Sequence, residues 1–188
     1  MKLTYEHKPA LTFIGFSTSI RPEEGYQKCP EFWDREYAQR FARLWQTMQP
    51  ENPLEAAILE NGVGMFAICE ARESFFEYWI AGLYRGGEVP EGLKLRSFSE
   101  GDWAMFSVKG PLPGSLQALN AQVLQEWLPG EGRRYCADGK TMLEVYSPGD
   151  MRSPDYECGI WVPVRLPEEE NEYEAAEIVS TMMMTGIL

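Results

Sequence analysis

The chain has 188 residues, 44% of them hydrophobic, and carries 17 Lys+Arg against 29 Asp+Glu for a net charge of -12. That length suffices for one compact domain or two fused half-size units. The acidic balance opposes direct nucleic-acid binding, which draws its affinity from clustered cations, and no run of about 18 apolar residues offers a membrane span.

The N-terminal stretch MKLTYEHKPALTF has charges where a secretory peptide would be apolar, so a cytoplasmic location is expected. One histidine, His7, and four dispersed cysteines, Cys29, Cys69, Cys136 and Cys158, form no Ser-His-Asp or CxxC arrangement. No metal or cofactor is therefore expected, and the thiols read as reduced and mostly buried.

The first strand signal runs from Leu11 to Ile20, with His7 in a disordered or edge segment before it. Trp33, Tyr37, Phe41, Leu44, Trp45 and Met48 then recur at helical spacing, predicting an amphipathic helix over Glu31 to Met48 with Pro30 at its start. Arg35, Arg40 and Arg43 read as its solvent face. Strand signals follow over Val63 to Glu70 and Phe75 to Tyr84, the second placing Glu77 on one face with Trp79. Asn61-Gly62-Val63-Gly64 lacks the Lys-Ser/Thr of a phosphate loop and reads as a turn.

After a turn-rich joint at Gly86 to Pro90, the order repeats. A strand signal covers Leu93 to Val108, a helix Ser115 to Leu128, and two strands Thr141 to Tyr146 and Tyr156 to Val164. The plan is β-α-β-β twice, giving an α+β fold with two pseudo-symmetric modules, one antiparallel sheet, helices on one face and a ligand cleft on the other. The domain is expected over residues 1–167, with half-modules at about 3–87 and 88–167, followed by an acidic tail at 168–188.

Aromatic residues make up 13% of the chain, and Trp79, Trp103, Phe106, Tyr146 and Trp161 all fall in strand signals. They exceed what one layer needs, so part of the set is expected to line a concave ligand surface. Period-two alternation puts Glu144 with Tyr146, and Glu157 with Gly159 and Trp161. If the two strands pair as a hairpin, Glu144, Tyr146, Glu157 and Trp161 line one groove. A carboxylate there could attract cations or act as a general base. The catalytic candidates are thus Glu144, Glu157 and Tyr146, and the ligand-binding candidates add Trp161, Trp103, Phe106 and Trp79.

With this order, the chain resembles the gyrase-inhibitor-like small-molecule-binding family, which includes effector-binding domains of AraC-type and MerR-type regulators. The matching stretches are Tyr78 to Leu83, Val89 to Leu93, Gly101 to Phe106 leading to Gly110-Pro111, Leu143 to Tyr146, and Ile160 to Val164, together spanning roughly residues 3 to 166. The resemblance implies a pair of strand-helix-strand-strand modules, with a central cleft for hydrophobic, often cationic, ligands. It implies a stand-alone binder, since the first strand begins about ten residues in and leaves no room for a DNA-reading unit. One alternative it implies is a hydrolase that opens strained cyclopropane-type rings with a cleft glutamate. Another is a protein-interaction role like that of a gyrase inhibitor. Many members carry a Glu two residues before the aromatic of the last strand, where this chain has Gly159.

Overall fold

The computed structural model describes residues 1–135 and 140–166. Cys136 and the stretch expected as an acidic tail from Glu168 lie outside the described residues.

Eight strands form a single antiparallel sheet: β1 (Lys2–Lys8), β2 (Leu11–Ile20), β3 (Phe66–Ala71), β4 (Phe76–Leu83), β5 (Lys94–Phe98), β6 (Gly101–Lys109), β7 (Thr141–Tyr146) and β8 (Glu157–Val164). Their spatial order is β1-β6-β8-β7-β3-β4-β2-β5. The repeated β-α-β-β plan is present as β3-β4-β2 on one side and β7-β8-β6 on the other, with β3 and β7 joined antiparallel at the centre. Two strands extend the plan. The segment around His7 is an edge strand rather than a disordered lead, so the first strand starts at Lys2 and not about ten residues in. The continuous strand expected over Leu93 to Val108 is broken by Ser99-Glu100 into β5 and β6, which lie at opposite ends of the sheet.

That break decides the shape. In a flat sheet, β5 and β6 would stand six inter-strand steps apart, roughly 29 Å at about 4.8 Å each. A two-residue link bridges at most about 11 Å. The same holds for Pro9-Ala10 between β1 and β2, so the sheet curls until its two ends meet where these links lie. The Phe98 and Trp103 rings, from opposite ends of the strand order, are 5.7 Å apart at that closure.

The helices cover the convex face. The first runs as α1 (Gly25–Glu36), a π-helical turn over Tyr37–Phe41, and α2 (Ala42–Thr47). It starts earlier than its apolar pattern suggests, with Pro30 inside α1. The wide turn shifts the buried stripe: Phe32, Glu36, Phe41 and Leu44 face the sheet, whereas Tyr37 and Met48 are exposed. Buried Glu36 is held by Arg35 and Arg40, so two arginines read as solvent-facing serve an ion pair. A further helix, α3 (Pro53–Asn61), is absent from the two-module reading. Its signal was local: Asn52 accepts from the Glu55 amide at 2.9 Å, and Pro53 opens the first turn. The second module has α4 (Gly114–Gln122), continued by a π-helical turn over Val123–Trp127.

Three apolar clusters result. Two lie under the helices, one built on Ile14, Phe16, Phe41, Leu44 and Ile80, the other on Phe106, Leu119, Val123, Trp127 and Ile160. The third is on the concave face, where Phe13, Ile68, Trp79, Trp103 and Leu143 are buried against Phe66, Phe98, Met105 and Trp161.

Candidate functional site

Strand register sorts the candidate residues. β7 pairs with β8 as Leu143 to Trp161 and Glu144 to Ile160. Directly opposed residues share a face, so Trp161 lies with Leu143, and Glu144 lies with Ile160 under the helices. The single groove expected for Glu144, Tyr146, Glu157 and Trp161 therefore does not form. A hairpin does join the strands, but its register is offset by one residue, and that offset moves a whole alternating set to the other face. Glu144 and Tyr146 are on the convex side, Glu157 and Trp161 on the concave side.

Phe106 borders the concave cavity described below, but its ring does not face it: it is 1% exposed in the helix-side core, 4.9 Å from the ring of Trp127, because its position in β6 has opposite parity to Trp103. Trp103 and Trp79 do face the concave side, but at 2% and 4% exposure they build its floor rather than its open surface. Curling of the sheet seals them: Trp103 packs edge-on against Phe98 and Trp161, and Phe13 against Phe66 and Phe98.

Beyond that sealed centre the concave face opens into a cavity of about 250 Å³, bordered by Trp161, Met105, Val145 and Gly159, with Lys2, Thr4, Ser107 and Glu157 around it. Glu157 is exposed, and among the described residues it is the one acid bordering this space. A larger hollow between α3 and the Glu88 to Glu91 loop has no aromatic wall. Two of the chain's own cations sit over concave-face rings: Lys8 Nζ lies 5.4 Å from the Trp161 centroid, and the Arg96 guanidinium 4.4 Å from that of Phe98. The two-module reading hid these contacts, since Lys8 belongs to β1, a strand it lacked, and Arg96 to β5, which it joined to β6 in one strand.

On the first-module side, the concave face carries a charged group. Glu70, 3% exposed, takes a bidentate pair from Arg96 at 2.6 and 2.8 Å, with Arg72 at 3.6 Å from Glu70 and 3.7 Å from Glu77. Glu77 and Trp79 share this face, as alternation requires.

On the convex face, Glu144 stands at the junction of the two helical cores, paired with Ala67 of the first and Ile160 of the second. The Tyr78 and Tyr146 hydroxyls donate to its Oε2 at 3.1 and 2.7 Å, and Trp33 Nε1 donates to the Tyr78 hydroxyl at 3.0 Å. Desolvation outweighs these hydrogen bonds and raises its pKa above the ordinary carboxylate value. Burial, then the Glu144 charge, pushes both tyrosines well above the usual phenol range and the nearby Cys29 and Cys69 thiols up to about 12. These thiols are poor nucleophiles at neutral pH. Among the described residues no group of three His, Cys, Asp or Glu is arranged to hold a metal ion. No helix among them is long and apolar enough to cross a membrane.

A family model described as the GyrI-like small molecule binding domain matches residues 1–165. The chain belongs to the GyrI-like small-molecule-binding family. Its fold is similar to that of SAV2435 bound to tetraphenylphosphonium, at TM-score 0.70 and 18% identity over 92% of this chain and 99% of that one. It is also similar to a Staphylococcus aureus MU50 protein assigned to bacterial transcription regulation, at TM-score 0.67 and 19% identity over 88% and 99% of the two chains. The EcmrR C-terminal domain aligns at TM-score 0.52 and 12% identity over 88% and 98%. No curated protein sequence matches the chain significantly. At these identities the structural likenesses establish the fold, and the GyrI-like cleft in this chain must be read from its own residues.

Proposed function

We propose that this GyrI-like domain captures a planar, hydrophobic, uncharged small molecule of one or two rings in the concave cavity beside Trp161. The observation that carries this reading is the composition of that space. Trp161, Met105 and Val145 give it apolar walls, and the backbone at Gly159 adds no side chain. A volume of about 250 Å³ falls just below the ~300–1,000 Å³ of drug-sized sites, which limits the occupant's size. SAV2435, a fold relative, is bound to a lipophilic cation, tetraphenylphosphonium. Here Lys8 already lies over the Trp161 ring, and the position two before Trp161 is glycine, so a neutral ligand suits the cavity better.

Binding, rather than turnover, fits the placement of the acids. Hydrolysis by a glutamate assisted by Tyr146 would need both beside the ligand. Glu144 and Tyr146 are instead on the opposite face of the sheet, and Glu157 stands alone at an exposed border.

Intrinsic tryptophan fluorescence tests the proposal with paired neutral and cationic planar aromatics. Saturable quenching by the neutral set is expected, weakened at least tenfold in Trp161→Leu and unchanged in Glu144→Gln. Affinity that is indifferent to Trp161, or the absence of binding across the panel, would reject it.

A further inference from the structure

The cavity beside Trp161 has polar ends as well as apolar walls, and strand register fixes where they lie. Across β1, β6, β8 and β7, the residues Lys2, Ser107, Gly159 and Val145 stand opposite one another in one row of the concave face. The row alongside contains Thr4, Met105, Trp161 and Leu143. The first row therefore passes from a cation and a hydroxyl, over a position with no side chain, to an apolar wall. Gly159 opens the floor there, and Trp161, two residues on in β8, stands beside the opening.

At the other end is Glu157, two residues before Gly159 and on the same face. Two strand spacings of about 4.8 Å and two residues of about 3.3 Å separate Lys2 from Glu157, roughly 12 Å between Cα atoms. Glu157 faces Lys109 across the ladder between β6 and β8 without closing an ion pair with it. Among the described residues, Lys2 and Glu157 form no ion pair and the Ser107 hydroxyl makes no hydrogen bond, whereas Lys8, further along β1, is tied to Glu6 at 2.5 Å. An ammonium only donates hydrogen bonds and a carboxylate only accepts them, so the two ends call for opposite groups on one ligand.

We propose, resting on the neutral-ligand reading of this cavity, that its occupant is a two-ring aromatic with a carbonyl acceptor at one end and a phenol donor at the other. The carbonyl oxygen accepts from the Lys2 ammonium and the Ser107 hydroxyl, the rings lie over Gly159 against Trp161, and the phenol O–H donates to the Glu157 carboxylate. Each end contact has an ionised partner, which makes it stronger than a hydrogen bond between neutral groups. A ligand ion of either sign would meet a like charge, an anion at Glu157 and a cation at Lys2 and Lys8.

Equilibrium dialysis of the full chain at mildly acidic pH, where the phenol stays neutral, tests this with four probes of like size: 7-hydroxycoumarin, coumarin, 2-naphthol and naphthalene. 7-Hydroxycoumarin is expected to bind at least tenfold more tightly than naphthalene, with coumarin and 2-naphthol between. The double variant Lys2→Met with Ser107→Ala is expected to bring coumarin down to naphthalene, and Glu157→Leu to bring 2-naphthol down to naphthalene. Equal affinity for the four probes, or a carbonyl or phenol preference that survives its variant, overturns the proposal; if all four still weaken in Trp161→Leu, the neutral cavity itself stands. Binding of none of them, or binding indifferent to Trp161, removes the cavity reading and this occupant with it.

Discussion

Trp79 and Trp161 are mates about the pseudo-two-fold axis between β3 and β7. Ile68 pairs with Leu143 across that axis, and these two pair outward with Trp79 and Trp161. Two residues along each strand, Glu70 opposite Glu77 in the first module corresponds to Val145 opposite Gly159 in the second. The concave face is thus symmetric in its indoles and asymmetric in charge. Acids and arginines crowd one lobe, whereas Val145 and Gly159 leave the corresponding positions beside Trp161 without charge.

Gly159 is held in place by the backbone as well as by the ligand space. A Cβ built there would meet the Phe106 carbonyl oxygen at 2.5 Å, closer than real side chains allow. Gly159→Ala is therefore expected to destabilise the fold by about 1–3 kcal/mol, the usual range for overpacking, as read by chemical denaturation. Restoring the family's acid by Gly159→Glu should cost at least as much and yield no tight cation binder. A Gly159→Glu variant of undiminished stability would show that β8 can shift away from β6.

Glu144 makes stability depend on pH in a direction opposite to that of a salt-bridged acid. Its folded pKa lies above the unfolded value, so the folded state binds the proton more tightly. Its contribution is full below the ordinary carboxylate pKa and is lost as pH rises through the raised folded value. Glu144→Gln keeps an acceptor for Tyr78 and Tyr146 and removes the charge. The variant is expected to melt higher than the native chain at pH 7–8, with the gap closing toward pH 4. Each unit of upward shift corresponds to about 1.4 kcal/mol. A gap that widens on acidification would contradict this account.

The elements with a strong period were legible in the sequence: Leu11 to Ile20 and Thr141 to Tyr146 are strands over those same residues, and both long helices lie where their apolar stripes fall. What periodicity could not supply was register. Glu144 and Trp161 each have an unambiguous face within their own strand, but which faces coincide depends on a one-residue choice in pairing, and no local signal fixes it. Nor does alternation distinguish one long strand from two, so the separation of β5 from β6, and with it the curl that buries Trp103, was hidden in Ser99-Glu100. The wide turn of the first helix had a related effect, leaving Tyr37 exposed and Trp33 half-buried while Phe32, Glu36, Phe41 and Leu44 are buried.

In the charged lobe, Arg96 is the partner that makes buried Glu70 tolerable. Arg96→Leu leaves that carboxylate with Arg72 at 3.6 Å as its remaining cation, and also uncovers the Phe98 ring. The expected loss is about 3 kcal/mol, the lower part of the range for breaking a buried pair, because Arg96 itself is partly exposed. The double variant Arg96→Leu with Glu70→Leu should recover most of it, since no unpaired charge then remains. Thermal denaturation of the four-member cycle reads this directly. Equal stability of the single and double variants would mean that Glu70 is solvated in solution.

The curl predicts where the sheet is weakest. Two-residue links hold its ends together, but the rings at the closure, Phe98 from β5 with Trp103 from β6, supply the apolar contact that keeps the concave face shut. Trp103→Ala removes a side chain that is 2% exposed, and a loss of about 3–5 kcal/mol is expected. Because both β1 and β5 are edge strands with one neighbour each, the loss should be local before it is global. Hydrogen exchange in Trp103→Ala is expected to quicken first in β1 and β5, while β3, β4 and β7 stay protected. Uniform loss of protection across all eight strands would show instead that the closure and the sheet centre unfold as one unit.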